Sequence, residues 1–170
     1  MYASVEANDP LSGCTYSIDP EYESALVEAM IDWLRDKLLA EAAYHLKPGE
    51  MAILRAMSTS DIVRFANNYF NATAMTNFRF NGQAGVDDGH ANAFIHVIFA
   101  RIHINAFGAN IALQLINAHE IGETGCSTSM DNANNSIAMN LNTSSHADFA
   151  ALANAVYQMA KTGQLWTLGG

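Results

Sequence analysis

From Gly89 to Phe107 the chain is apolar on nearly every side once wound at helical spacing, with Phe94, Val97, Ile98, Ile102 and Ile104 distributed around the turn. A helix of that kind has no face to give to water, so it is expected to be central and buried. Gly108 is a natural stop for it, and Asn110 to Glu120 resumes the helical pattern with Ile111, Leu113, Leu115 and Ile116.

The flanking segments repeat the same period. Asp19 and Pro20 open a long helix carrying Leu26, Met30, Trp33, Leu34, Leu38 and Leu39, read as core-packing. Pro48-Gly49-Glu50 opens a short one, and Ser58-Thr59-Ser60-Asp61 offers caps for the next. Asn71 to Asp88 lacks clean periodicity, and the Phe78-Arg79-Phe80 alternation before Asn81-Gly82 predicts a turn with a short β-ribbon near 76–84. Asp87-Asp88 would cap the central helix, Asp131 a helix running to about Leu141, and Ser144-Ser145 a last helix stopped by Gly163. The expectation is a mainly α chain: an irregular arm over 1–18, then one compact multi-helix domain over 19–170.

Charge and cysteine content narrow the function. With 8 Lys+Arg against 17 Asp+Glu, the net charge of −9 disfavours a nucleic-acid binder and an electrostatic membrane anchor. No apolar run is long enough for a transmembrane segment. Met1 to Asp9 is polar and acidic, unlike a signal peptide, so a secreted form would need another delivery route or a leader lying outside this sequence. Cys14 and Cys126 form no CxxC; they are two separate thiols or a disulfide tying the arm to the loop after Glu120.

Against this apolar background certain polar residues stand out. Asn92 and His96 are four apart and share a helix face, with His103 two turns further on. His119 and Glu120 close the next apolar helix and face a Gly/Ser/Thr loop. Asp131, Asn134 and Asn135 fall within one turn of a third. Burying so many polar groups is costly unless they satisfy one another or a ligand, which points to a connected network at a cleft. A carboxylate at the wall of an apolar site has a raised pKa, so Glu120 is the candidate general acid. His96, His119 and Asp131 are its candidate catalytic companions, and Asn92, Asn134 and Asn135 are candidate substrate-binding or orienting groups. His119-Glu120-Ile121-Gly122-Glu123 lacks the second histidine of HExxH, yet His96, His119, Glu123 and Asp131 remain candidate ligands for a divalent metal ion. No nucleophile elbow, P-loop or dinucleotide fingerprint is present.

The order Asn92-Ala93-Phe94-Ile95-His96, Asn117-Ala118-His119-Glu120, Met130-Asp131-x-x-Asn134-Asn135 resembles an uncharacterised bacterial domain whose pattern runs roughly DAFRH, DAHE, MDxxNNxxG. That domain occurs at the C-termini of secreted and polymorphic toxin-like proteins, and the resemblance covers about residues 60–165. Asn92, Ile95 and Ala138 stand where the pattern has Asp, Arg and Gly. A weaker local likeness, Ala118-His119-Glu120 before a polar loop, is to lysozyme-like and chitinase-like glycosidases, which would pair Glu120 with Asp131 in an inverting mechanism.

Residues and resemblance together lead to a secreted bacterial effector of toxin type, an acid/base hydrolase acting on a cell-envelope substrate such as the peptidoglycan glycan. A cognate immunity protein or secretion-machinery partner would accompany it. The alternatives are a divalent-metal-dependent phosphoesterase acting on a lipid-linked or other phosphate ester, and a non-enzymatic binding or structural domain with a buried polar network.

Overall fold

The computed structural model describes residues 20–82, 89–141 and 148–168, with side chains from residue 24 onward. Among them the chain forms seven helices and no strand: α1 (Pro20–Ala42), α2 (Pro48–Ala56), α3 (Thr59–Arg79), α4 (His90–Phe107), α5 (Ala109–Glu120), α6 (Cys126–Asn140) and α7 (Phe149–Lys161). The arm, Cys14 and the expected caps at Asp19, Asp87-Asp88 and Ser144-Ser145 lie outside the described residues.

α4 is the axis of the molecule, as its all-round hydrophobicity demands. It packs against α3, α5, α6 and α7, and Phe94, Val97, Ile98 and Ala100 have no exposed surface. The larger core joins these residues to Ala138 of α6 and Leu152, Ala153, Val156 and Ala160 of α7. A smaller one joins Leu54, Phe65 and Leu115, where α2, α3 and α5 meet. Gly108 adopts φ +82°, which a side chain would resist, and so lets α5 leave α4 after a single residue. Leu165 returns to the core beyond α7, and the amide of Asn134 holds this tail. Its Nδ2 donates to Trp166 O and its Oδ1 accepts from Trp166 N, both at 2.9 Å.

Four expectations change. The β-ribbon is absent among the described residues: α3 runs on to Arg79 because Ala72 and Thr76 are fully buried facing inward. Thr76 donates its hydroxyl to Ala72 O at 2.8 Å, keeping its side chain on the helix. Asn81-Gly82, a hairpin signal in sequence, ends that helix with both residues at positive φ, and Gly82 N–H donates to Asn77 O at 2.9 Å. α6 begins at Cys126, so Asp131 is a helix-interior residue and not a cap. α1 packs through Leu39 and Ala42, but Leu26, Met30 and Trp33 are 49, 62 and 63 % exposed.

His103 also departs from the face it was grouped with. Its ring is fully buried beside Phe65, Phe99 and Phe107, and Nδ1 pairs with Phe99 O at 2.7 Å. Desolvation holds the imidazole down at about 4, although the Phe99 carbonyl pulls the other way. The folded value lies below the unfolded one, so the neutral ring's contribution is complete above about pH 6.5 and is lost as pH falls through 4. Relative to wild type, His103→Phe should remove about 3 kcal/mol of the stability lost over that interval, as read by urea melts at several pH values. Parallel stability–pH curves for the two proteins would refute this assignment.

Candidate active site

Three helix segments deliver the polar residues to one place. The α4·α6 contact puts Asn92 and His96 against Asp131, and the C-terminus of α5 brings His119 and Glu120 alongside. Asp131 Oδ1 accepts from Asn92 Nδ2 at 3.0 Å and lies 3.2 Å from His96 Nε2. His96 Nδ1 lies 3.7 Å from Glu120 Oε1, and Asn135 Nδ2 reaches the same oxygen at 3.5 Å. The His96 and His119 rings are 5.9 Å apart.

A seventh residue enters from α2. Glu50 is 1 % exposed and places Oε1 3.2 Å from His119 Nδ1, while its Oε2 accepts from Lys47 N–H at 2.9 Å. Lys47 also donates its ammonium to His119 O, an open carbonyl at the end of α5, and to Glu123. Gly49 permits this approach: a Cβ there would lie 3.2 Å from the Ala118 Cβ, tighter than ordinary packing. Sequence reading treats Glu50 as a helix-start residue, and nothing local announces its second role on His119.

The electrostatics follow from burial. His96 is pushed down to about 4, chiefly by desolvation and then by His119, with the Asn135 hydrogen bond opposing. Its nearness to two carboxylates would favour the cation, but with the side chain 12 % exposed the loss of water outweighs them. A neutral imidazole carries one N–H. With that proton on Nε2 toward Asp131, Nδ1 presents a lone pair to Glu120. The Glu120 carboxyl is raised, first by burial, and its Oε2 is buried without a partner. His119 is raised, first by its hydrogen bond to Glu50. Glu123 is lowered by Lys47.

Two overlapping donor sets result. His96, His119 and Glu120 offer ligand atoms within 4.8 Å of one another, and so do Glu120, Glu123 and Asp131. The second set is already committed, since Asp131 serves Asn92 and His96 while Glu123 serves Lys47. The first retains free lone pairs. The residues open onto a cavity of about 400 Å³ bordered by His96, His119, Glu120, Asn135 and Glu50 on its polar side. Of the sequence candidates, Asn92, His96, His119, Glu120, Asp131 and Asn135 converge, Glu123 sits at the margin, and Asn134 is spent on Trp166. Cys126 lies exposed in the first turn of α6.

Comparison of the chain with family models, with curated proteins and with solved structures finds no match.

Glu50→Gln tests how His119 is held. Loss of the carboxylate charge should lower the His119 titration midpoint. The amide can also donate to Nδ1, moving the neutral ring's proton to Nε2. Histidine ring nitrogen shifts in NMR report both effects, and an unchanged midpoint and tautomer would show that Glu50 does not orient the ring.

Proposed function

We propose that the protein is a divalent-metal-dependent hydrolase of phosphate esters, with His96 Nδ1, His119 Nε2 and Glu120 as the ion's ligands. The observation that carries this reading is the arrangement behind the two imidazoles. Each turns its other nitrogen onto a buried carboxylate, Asp131 at 3.2 Å and Glu50 at 3.2 Å. Carboxylate–histidine pairs of this kind fix the tautomer and make the imidazole a better donor to a metal. Two imidazoles and a carboxylate with an open position suit zinc in a catalytic rather than a structural site. The orphaned Glu120 Oε2 supports the same reading, because a buried unpaired carboxylate oxygen is costly without a cation.

In such a site the ion lowers the pKa of a bound water to about 7. The chain's own groups do the remaining work. Asp131 and Glu50 hold the rings. Asn135 steadies Glu120 at 3.5 Å, and the cavity admits the ester beside the cluster. The ion, held by His96, His119 and Glu120, would supply hydroxide for attack on phosphorus with loss of the alkoxide, and the proton given up by the water would return to the alkoxide through solvent. Inverting glycan hydrolysis is less well supported: it needs carboxyl groups about 6.5–9.5 Å apart, whereas Glu120 and Asp131 offer oxygens within 4.8 Å. The toxin-associated motif order supports a cell-envelope setting for the substrate and an effector role for the protein. No helix among the described residues is long and apolar enough to cross a membrane.

Chelator-stripped protein titrated with Zn²⁺ at neutral pH should take up one ion and gain thermal stability, by about 2.7 kcal/mol at a hundredfold excess over Kd. Hydrolysis of a chromogenic phosphate diester should depend on that ion. His96→Ala and Glu120→Gln should each lower metal affinity by tenfold or more while remaining helical by circular dichroism. Absence of uptake by wild type, or full activity in the folded variants, would overturn the proposal.

A further inference from the structure

Most of the surface that lines the cavity is apolar. Away from the His96–His119–Glu120 cluster its walls are Leu46, Tyr69, Ile95, Phe99 and Ile116, with Thr73, Asn77 and His45 as the remaining polar lining. Its volume of about 400 Å³ is that of a small-molecule site. A second, narrower cavity shares His45, Leu46 and Tyr69 with it and continues along Leu38, Phe65 and Phe70. Phe70 is 60 % exposed, so this second cavity reaches the surface between α1 and α3.

A sugar or peptide laid along these walls would lose hydrogen bonds from water that few side chains there could replace. An aliphatic chain loses none and gains from leaving water. We propose that the substrate is an amphipathic phosphate ester, its phosphate at the His96–His119–Glu120 end and an aliphatic chain lying along Leu46, Tyr69, Ile95, Phe99 and Ile116. This inference rests on the metal-hydrolase reading for the position of the phosphate, and on the shape and lining of the cavity for the chain.

Thr73 on α3 borders the cavity and supplies none of the proposed metal ligands, so Thr73→Trp should fill the chain's path and leave the phosphate end intact. The probes are methylphosphonate and n-octylphosphonate, titrated calorimetrically into the Zn²⁺-equilibrated full chain. The octyl compound should bind at least tenfold more tightly. Thr73→Trp should erase that advantage while methylphosphonate affinity and Zn²⁺ uptake stay as in wild type. Ile95→Gln, which sets an amide in the apolar wall, should also reduce it and covers the case in which the tryptophan variant does not fold. Equal affinities for the two probes in wild type, or an octyl advantage that survives in folded variants, would overturn the chain site. Octyl binding that responds to these substitutions in a protein that takes up no Zn²⁺ would uphold the chain site and defeat the metal reading instead.

Discussion

Everything in this molecule follows from having to bury α4 on all sides. Four helices close around it, and the cost of desolvating its polar positions is met where Asn92 and His96 face α6. There one oxygen of Asp131 accepts from the asparagine and lies within reach of the imidazole. Had α4 an exposed polar face, His96 could stay hydrated and titrate freely. Enclosed, it is kept neutral, with one nitrogen occupied and the other directed at Glu120. The same burial that stabilises the fold therefore suits the imidazole to the role proposed for it.

The second histidine is prepared by different means. α5 ends at Glu120, and its terminal carbonyl at His119 is taken by the Lys47 ammonium. The missing side chain at Gly49 lets the start of α2 come against Ala118. Glu50 is thereby set between its own helix start and the His119 ring, one oxygen for each. A helix cap and a histidine support become the same carboxylate, so fold and site are coupled at this corner.

Much of the site was legible because its residues are chemically out of place. Asn92, His96, His119 and Glu120 interrupt apolar helices, Asp131 and Asn135 lie about one turn apart on a third, and polar groups buried together need one another. Asn134 obeyed the same logic with a different partner: an amide can copy the hydrogen-bond pattern of a backbone, and it binds the peptide of Trp166. Glu50 was illegible as a site residue because a glutamate after Pro48-Gly49 is fully explained by its helix start. Asn81-Gly82 misled for a related reason, since residues that tolerate positive φ close helices as readily as they close hairpins.

By itself, then, the amino-acid order determined that the chain is helical, that Gly89 to Phe107 lies at its centre, and which polar residues have to be reconciled with that burial. These are consequences of period and hydrophobicity, which act along the chain. Only the tertiary structure decided which carboxylate stands behind each histidine, that Glu120 keeps an unpartnered oxygen, and that a cavity with a mostly apolar surface borders it. Those depend on distances between residues as remote in sequence as Glu50 and His119, and such distances are set by how helices pack, not by what any one helix contains.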